Sequence, residues 1–492
     1  MRKLWIASTA MIIIVLLMMS ACGAGTQTGS QQTTAAETAS TAPAATTAAP
    51  ATATTAATTE EPTKEVAVGD VLVRTSFTAG EFTDAIVEQC EAELPGIKVE
   101  RAEADDTKLM AMIAAGTAPD VIRITAARLL PLWVTRGICM SIQDYVDASP
   151  YFDEADMLPI VDVCRWDGKK TGEGPLYAIP KDWSLDVTVV ANKRQMEKMG
   201  VPIPDEKVPL TVAQYVDICK QLYEEDDDGT IKVFGGGESL QFELMLIQTL
   251  MNQQGKSIWS EDYRTVNLDN AEIREIFQYI YDATMSKTIV SPINPAPDWD
   301  GNIFREGMCG IFQVGYWYTG VIRGFNQTAE QMDTLEATQD DCILLPALIM
   351  NESATRISPC TAATSGVMLK QSQHPDEAWK VFEWFLGNAQ QAKDRAEGGW
   401  GLPVFRSLVE FMPNETEFDK QSLRVTMDEI DKSPQLYVQM NPFVNYDAAA
   451  SLIVKYINPI YFGESTIDEA LPQLERDIQL LIEEGMEIAG VF

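Results

Sequence analysis

The sequence predicts an α/β fold built on a parallel sheet covered by helices. Three observations predict it: short apolar runs recur between residues 71 and 122, amphipathic segments separate them, and Pro or Gly marks the junctions. Val71 to Arg74 reads as a first strand. A helix follows, with Phe82, Ile86, Cys90 and Leu94 at four-residue spacing, and Pro95-Gly96 ends it. Ile97 to Glu100 alternates as a second strand. Lys108 to Ala115 reads as a helix stopped at Gly116, and Asp120-Val121-Ile122 opens a third strand. No GxGxxG or Walker loop occupies the turns between them, which removes support for nucleotide binding. The last third reads as mainly helical. His374 to Leu386 and Ile467 to Ile488 each carry an apolar stripe at helical spacing. No internal repeat is found.

The chain begins with Arg2-Lys3, then an apolar run from Leu4 to Met19, then Ser20-Ala21-Cys22-Gly23. A charged start, an apolar centre and small residues before a cut predict a secretory signal peptide over residues 1–21. The run is shorter than the roughly 20 apolar residues that a spanning helix needs. Small residues followed at once by Cys resemble the bacterial lipobox, although Met19 stands where Leu is usual; the resemblance implies lipidation of Cys22. Residues 22–65 are almost all Thr, Ala, Ser, Gly, Gln and Pro without apolar periodicity, so they read as a disordered tether. About 427 residues follow, enough for more than one domain.

Composition narrows the function. With 37 basic and 72 acidic residues and a net charge of −35, the chain is ill suited to nucleic acid or to broad contact with an anionic membrane. Membrane attachment is expected through the lipid alone. Eight cysteines at wide, irregular spacing include no CxxC pair, so zinc is not expected. Removing Cys22 leaves an odd number, so at least one thiol is unpaired, and most are expected to pack as small buried hydrophobes.

Six segments in order resemble the extracellular solute-binding proteins of family 1, which include the maltodextrin-binding protein. They are Met110 to Ile122; Gly174 to Pro180; Val190-Ala191-Asn192-Lys193; Phe304 to Met308 leading to Gly315-Tyr316-Trp317; Pro375 to Trp379; and Gly463 to Leu471. In the third, Ala191 stands where the family has Tyr. The resemblance covers nearly all of residues 66–492. It implies a two-lobed, type II periplasmic-binding-protein-like fold, with the ligand in the cleft between the lobes and several crossing segments. Lobe one is expected over 66–180 and 345–390, lobe two over 181–344 and 391–492. The expected function is an extracellular, lipid-anchored binding protein on the outer face of the cytoplasmic membrane. It would deliver a carbohydrate to an ABC importer by hinge closure. The expected partners are a small-molecule solute and the permease subunits, with the binding protein a monomer. The alternative is a ligand-sensing or adhesion lipoprotein that binds a sugar without transport.

A sugar offers weakly apolar faces and a rim of hydroxyls, so its site needs aromatics to stack on and carboxylates or amides to accept protons. The family pattern points to Asp182 and Trp183 after the Gly174–Pro180 crossing, and to Tyr316 and Trp317. Trp400 lies in the flexible run Gly398-Gly399-Trp400-Gly401, and Asp298-Trp299-Asp300 is a further exposed-looking cluster. Turns after the first and third strands add Phe77, Thr78, Glu81, Thr125 and Arg128, and Glu238-Ser239 follows three glycines. For each tryptophan, core packing is the competing reading.

No cofactor is required. Glu224, Asp226 and Asp228 resemble the first half of a calcium loop, but the closing acid is missing, and a solvated hairpin tip competes with that reading. Catalysis is not expected. His374 is the only histidine and opens a helix, no HExxH occurs, and chance carboxylate pairs are unavoidable among 72 acids.

Overall fold

A computed structural model describes residues 69–104, 106–237, 243–325 and 336–491. The expected signal peptide and tether, Cys22, and Glu238 with Ser239 lie outside the described residues. The strands in chain order are β1 (Val71–Thr75), β2 (Ile97–Arg101), β3 (Val121–Thr125), β4 (Arg165–Trp166), β5 (Thr171–Leu176) and β6 (Ala178–Asp182). They continue with β7 (Val189–Asn192), β8 (Glu224–Glu225), β9 (Ile231–Gly236), β10 (Cys309–Gln313), β11 (Cys342–Leu345) and β12 (Thr364–Met368).

Two five-stranded sheets form. The first runs β2-β1-β3-β12-β6 and the second β11-β7-β10-β9-β8. In the first, β1 is parallel to β2 and β3, as the alternating strand and helix segments predict. β12 enters antiparallel between β3 and β6. In the second, β9 and β10 are parallel, whereas β7 is antiparallel to both β10 and β11. This two-sheet, mixed architecture matches the two-lobed fold expected.

Local chemistry sets the helix ends. The first helix spans Asp84–Glu93 because Thr83 caps it, its hydroxyl accepting the Ile86 N–H at 3.3 Å. Phe82 therefore lies before the helix and is buried in the first core. Thr466 and Glu469 form a reciprocal capping box that starts the last helix, Ile467–Ala489. That helix buries Leu471, Leu474, Ile478 and Ile482. Each such side chain contributes about 1.5–3 kcal/mol on burial.

The chain leaves the first sheet after Asp182, enters the second at Val189, leaves it after Leu345 and returns at Thr364. The C-terminal part differs from expectation. Leu402, Val404, Phe405, Leu408 and Leu436 pack into the first core, the Glu417–Lys432 helix lies along β11 of the second sheet, and from Val438 onward the chain joins the second core. Residues 402–412 thus pack with the first sheet rather than with lobe two, and the Glu417–Lys432 helix lies between the two, sending Val425 and Ile430 into the first core. Helical periodicity shows that a segment packs against something, but not against which sheet.

All seven cysteines among the described residues are buried and free. Burial raises their thiols, Cys90 and Cys164 to about 12. This is the packing role expected of them.

Candidate functional site

The strand directions bring the relevant ends together. Register pairs Thr364 with both Thr125 and Asp182, so the start of β12 lies beside the carboxyl ends of β3 and β6. In the second sheet Val189 pairs with both Gln313 and Leu345, which places the ends of β10 and β11 at one edge. The two crossing segments, 183–188 and 346–363, leave from these edges. Sites in open α/β sheets form beyond such carboxyl ends.

On the first-sheet side, the turn after β1 presents Glu81. Its carboxylate takes Arg123 Nε at 2.7 Å and Lys181 Nζ at 3.3 Å, and accepts the Thr78 hydroxyl at 3.1 Å. Burial pushes the Glu81 carboxyl up, but Lys181 and Arg123 outweigh it and hold the group below its usual value. Lys181 also pairs with Asp182. Asp182 and Glu81 keep about a fifth of their side-chain surface open, so this ionic chain lies at the rim rather than in the core. A Cβ built on Gly401 would stand 2.9 Å from the Asp182 Cβ, so the backbone of the loop that carries Trp400 passes close to Asp182.

On the second-sheet side, tryptophans assemble. Trp299 and Trp317 stack with centroids 5.9 Å apart, and Trp317 meets Trp400 at 6.2 Å. Trp299 and Trp317 both stand edge-on to the buried Tyr318, whose hydroxyl donates to the Gly301 carbonyl at 2.6 Å. Trp299 and Trp400 are 45% and 52% exposed, which leaves aromatic surface open to a ligand. The glycine-rich loop is held by Arg323, whose Nη1 donates to the Gly399 carbonyl at 2.8 Å while Nε donates to Asp419 at 2.8 Å.

Several expected residues take other places. Trp183 is 2% exposed, and its indole N–H donates to the Pro403 carbonyl at 2.9 Å. It is a packed core residue with no face to offer. Tyr316 is fully buried in the first core, because the turn after Gly315 sends its ring inward and Trp317 outward. Phe77 packs edge-on against Phe385 at 5.0 Å inside the same core. Arg128 donates to the Thr361 carbonyl at 2.9 Å and lies 4.7 Å over the Tyr446 ring, so it bridges the two cores. Thr361 and Ala362 in turn give three hydrogen bonds to the half-buried Asp186 carboxylate, at 2.7, 3.1 and 3.1 Å, tying one crossing segment to the other.

The acidic hairpin is occupied by its own bases. Glu224 pairs with Lys198 at 3.1 Å, Asp226 with Lys232 at 2.5 Å, and Asp228 accepts the Thr230 N–H at 3.0 Å. Its carboxylates do not converge, and no cluster of three or more potential metal ligands occurs among the described residues. Lys181, Arg123 and Arg323 are participants that the sequence reading did not single out. The basic residue immediately before Asp182 was the available signal for Lys181.

Comparison with known structures finds the same architecture. An ABC substrate-binding protein from Listeria monocytogenes in complex with cycloalternan superposes with a TM-score of 0.63 at 18% identity, covering 86% of this chain and 98% of that one. The sugar-binding protein MalE from Xanthomonas citri gives 0.63 at 18% identity, covering 85% and 99%. A solute-binding protein from Agrobacterium vitis with bound D-mannitol gives 0.60 at 17% identity, covering 85% and 98%. At such identities these likenesses show the fold alone. No curated protein matches the chain by sequence. The model of the bacterial extracellular solute-binding proteins matches residues 74–392, about two thirds of the sequence, and the chain belongs to that family.

Proposed function

We propose that the chain captures a carbohydrate outside the cell and delivers it to an ABC importer. The observation that carries this reading is the partly exposed row Trp299–Trp317–Trp400, whose loop passes close to Asp182 of the Glu81–Lys181–Asp182 ionic chain. Indole faces suit the apolar face of a pyranose, and a rim of charged groups suits its hydroxyls, since charge-assisted hydrogen bonds are the stronger ones. The relatives in complex with cycloalternan and D-mannitol support the same ligand class.

In this reading the ligand bridges the two lobes and shifts an open–closed equilibrium about the crossing segments. The closed form is then recognised by the permease subunits. Cys22 carries the lipid, residues 23–65 form the tether, and the chain acts as a monomer without a cofactor. Isothermal titration of the full chain against a panel of mono-, di- and oligosaccharides tests the ligand class, with peptides and polyamines as controls. A saccharide hit weakened by Trp317→Ala supports it; a hit among the controls alone overturns it. Release of a Cys22→Ala variant into the medium tests the anchor.

A further inference from the structure

Arg395 lies on the Gln390–Gly398 helix, whose end leads directly into Gly399 and Trp400. Its guanidinium lies over the Phe385 ring at 4.8 Å. Nε and Nη1 are both shut off from solvent, and neither has a hydrogen-bond partner. Buried donors left unpaired are costly, and native proteins keep few of them. Asp182 and Asp394 act on the guanidinium through space, yet neither pairs with it. The Asp182 carboxylate is taken by Lys181, and Asp394 accepts the Gln390 amide at 2.6 Å.

Local charge points the same way. The whole chain carries 72 acids against 37 bases. At this corner the ratio evens out: Arg123, Lys181 and Arg395 stand against Glu81, Asp182 and Asp394. The first two cations pair with Glu81 and Asp182, whereas the Arg395 guanidinium is in an ion pair with no acid among the described residues and keeps two buried donors unpartnered.

We propose that the solute is an acidic saccharide, a sugar bearing a carboxylate, and that Arg395 receives that carboxylate while the Trp299–Trp317–Trp400 row takes the sugar ring. This inference rests on the carbohydrate reading above and narrows it. A guanidinium suits a planar carboxylate better than it suits a hydroxyl, because fixed N–H groups and full opposite charge act together. The helix that carries Arg395 runs directly into the loop that presents Trp400.

The test is calorimetric titration of the full chain with oligogalacturonates and with neutral oligosaccharides of the same length, before and after Arg395→Gln. The expected result is uronate binding that falls on the order of tenfold or more in the variant, as the loss of a charged hydrogen bond predicts. Arg395→Lys restores part of it, and Arg395→Gln keeps the melting temperature of the unliganded protein. Should Arg395→Gln fail to fold, the comparison of Arg395→Lys with wild type on both ligand sets decides. Neutral sugars binding while uronates do not would overturn the inference and leave the carbohydrate reading intact. Uronate binding indifferent to both variants would overturn the role of Arg395. No binding of either sugar class would sink the carbohydrate reading and this one with it.

Discussion

Trp317 stacks on Trp299 with ring planes 14° from parallel, although seventeen residues, including a helix and β10, separate the two in sequence. Trp183, by contrast, is a tryptophan of the same sequence neighbourhood as Asp182 that is closed into the core. The two kinds of tryptophan make opposite predictions. Trp317→Ala and Trp299→Ala should each weaken saccharide binding by about tenfold or more, as loss of an aromatic anchor does, with little change in melting temperature. Trp183→Ala should instead destabilise the fold by about 3–5 kcal/mol. Parallel titration and chemical denaturation separate the two effects.

Arg323 joins Asp419 to the Gly399 carbonyl. The Asp419 side chain is 3% exposed. Burial pushes its carboxyl up, and the bonds from Arg323 and Thr416 more than offset that, leaving it below the usual value. Arg323→Ala would strand this carboxylate and release the Trp400 loop. The expected cost is about 3–5 kcal/mol of stability, together with a change in Trp400 fluorescence. A variant that kept wild-type stability and emission would show that the loop is held by other contacts.

Glu81 gives a pH prediction. Its folded-state value lies below the ordinary 4.5, so its ion pairs stabilise the fold fully above about that pH. Their contribution is lost as the pH falls through the lowered folded value. The gap in melting temperature between wild type and Glu81→Gln should therefore be widest near neutrality and close under acid conditions. A gap that widened on acidification would contradict the Lys181 and Arg123 pairing.

Asp186 fastens the crossing segments through Thr361 and Ala362. Asp186→Ala would leave two backbone N–H groups and a hydroxyl without their acceptor, at about 1–3 kcal/mol for each that stays buried. Small-angle scattering should then show a broader distribution of shapes in the unliganded state. Unchanged scattering with unchanged stability would place the hinge elsewhere.

The first three strands and the helices between them were legible in the sequence because alternation and four-residue spacing report which face is buried. The antiparallel insertion of β12 was not legible, since a five-residue buried run carries no sign of its direction or its neighbours. At the site, the family pattern pointed to Trp317, and the glycines around Trp400 marked a loop. It could not separate Trp317 from Tyr316, because adjacent residues in a turn point to opposite sides and only the packing decides which goes in. The ionic chain was half visible: Glu81 and Asp182 stood out as acids after strands, whereas Arg123 and Lys181 are partners supplied by β3 and β6, two strands of the sheet that are far apart in sequence.

The place of β12 has a consequence for how the molecule is made. β3 and β6 are joined only through β12, whose residues follow every strand of the second sheet. An N-terminal fragment, however long, holds the first sheet in two unconnected parts until residue 368 is present. The early chain has little to gain from closing up, because its missing neighbour is still unmade. The first sheet therefore closes only after every strand of the second is made, and the helices from Val438 onward still have to complete the second core after it.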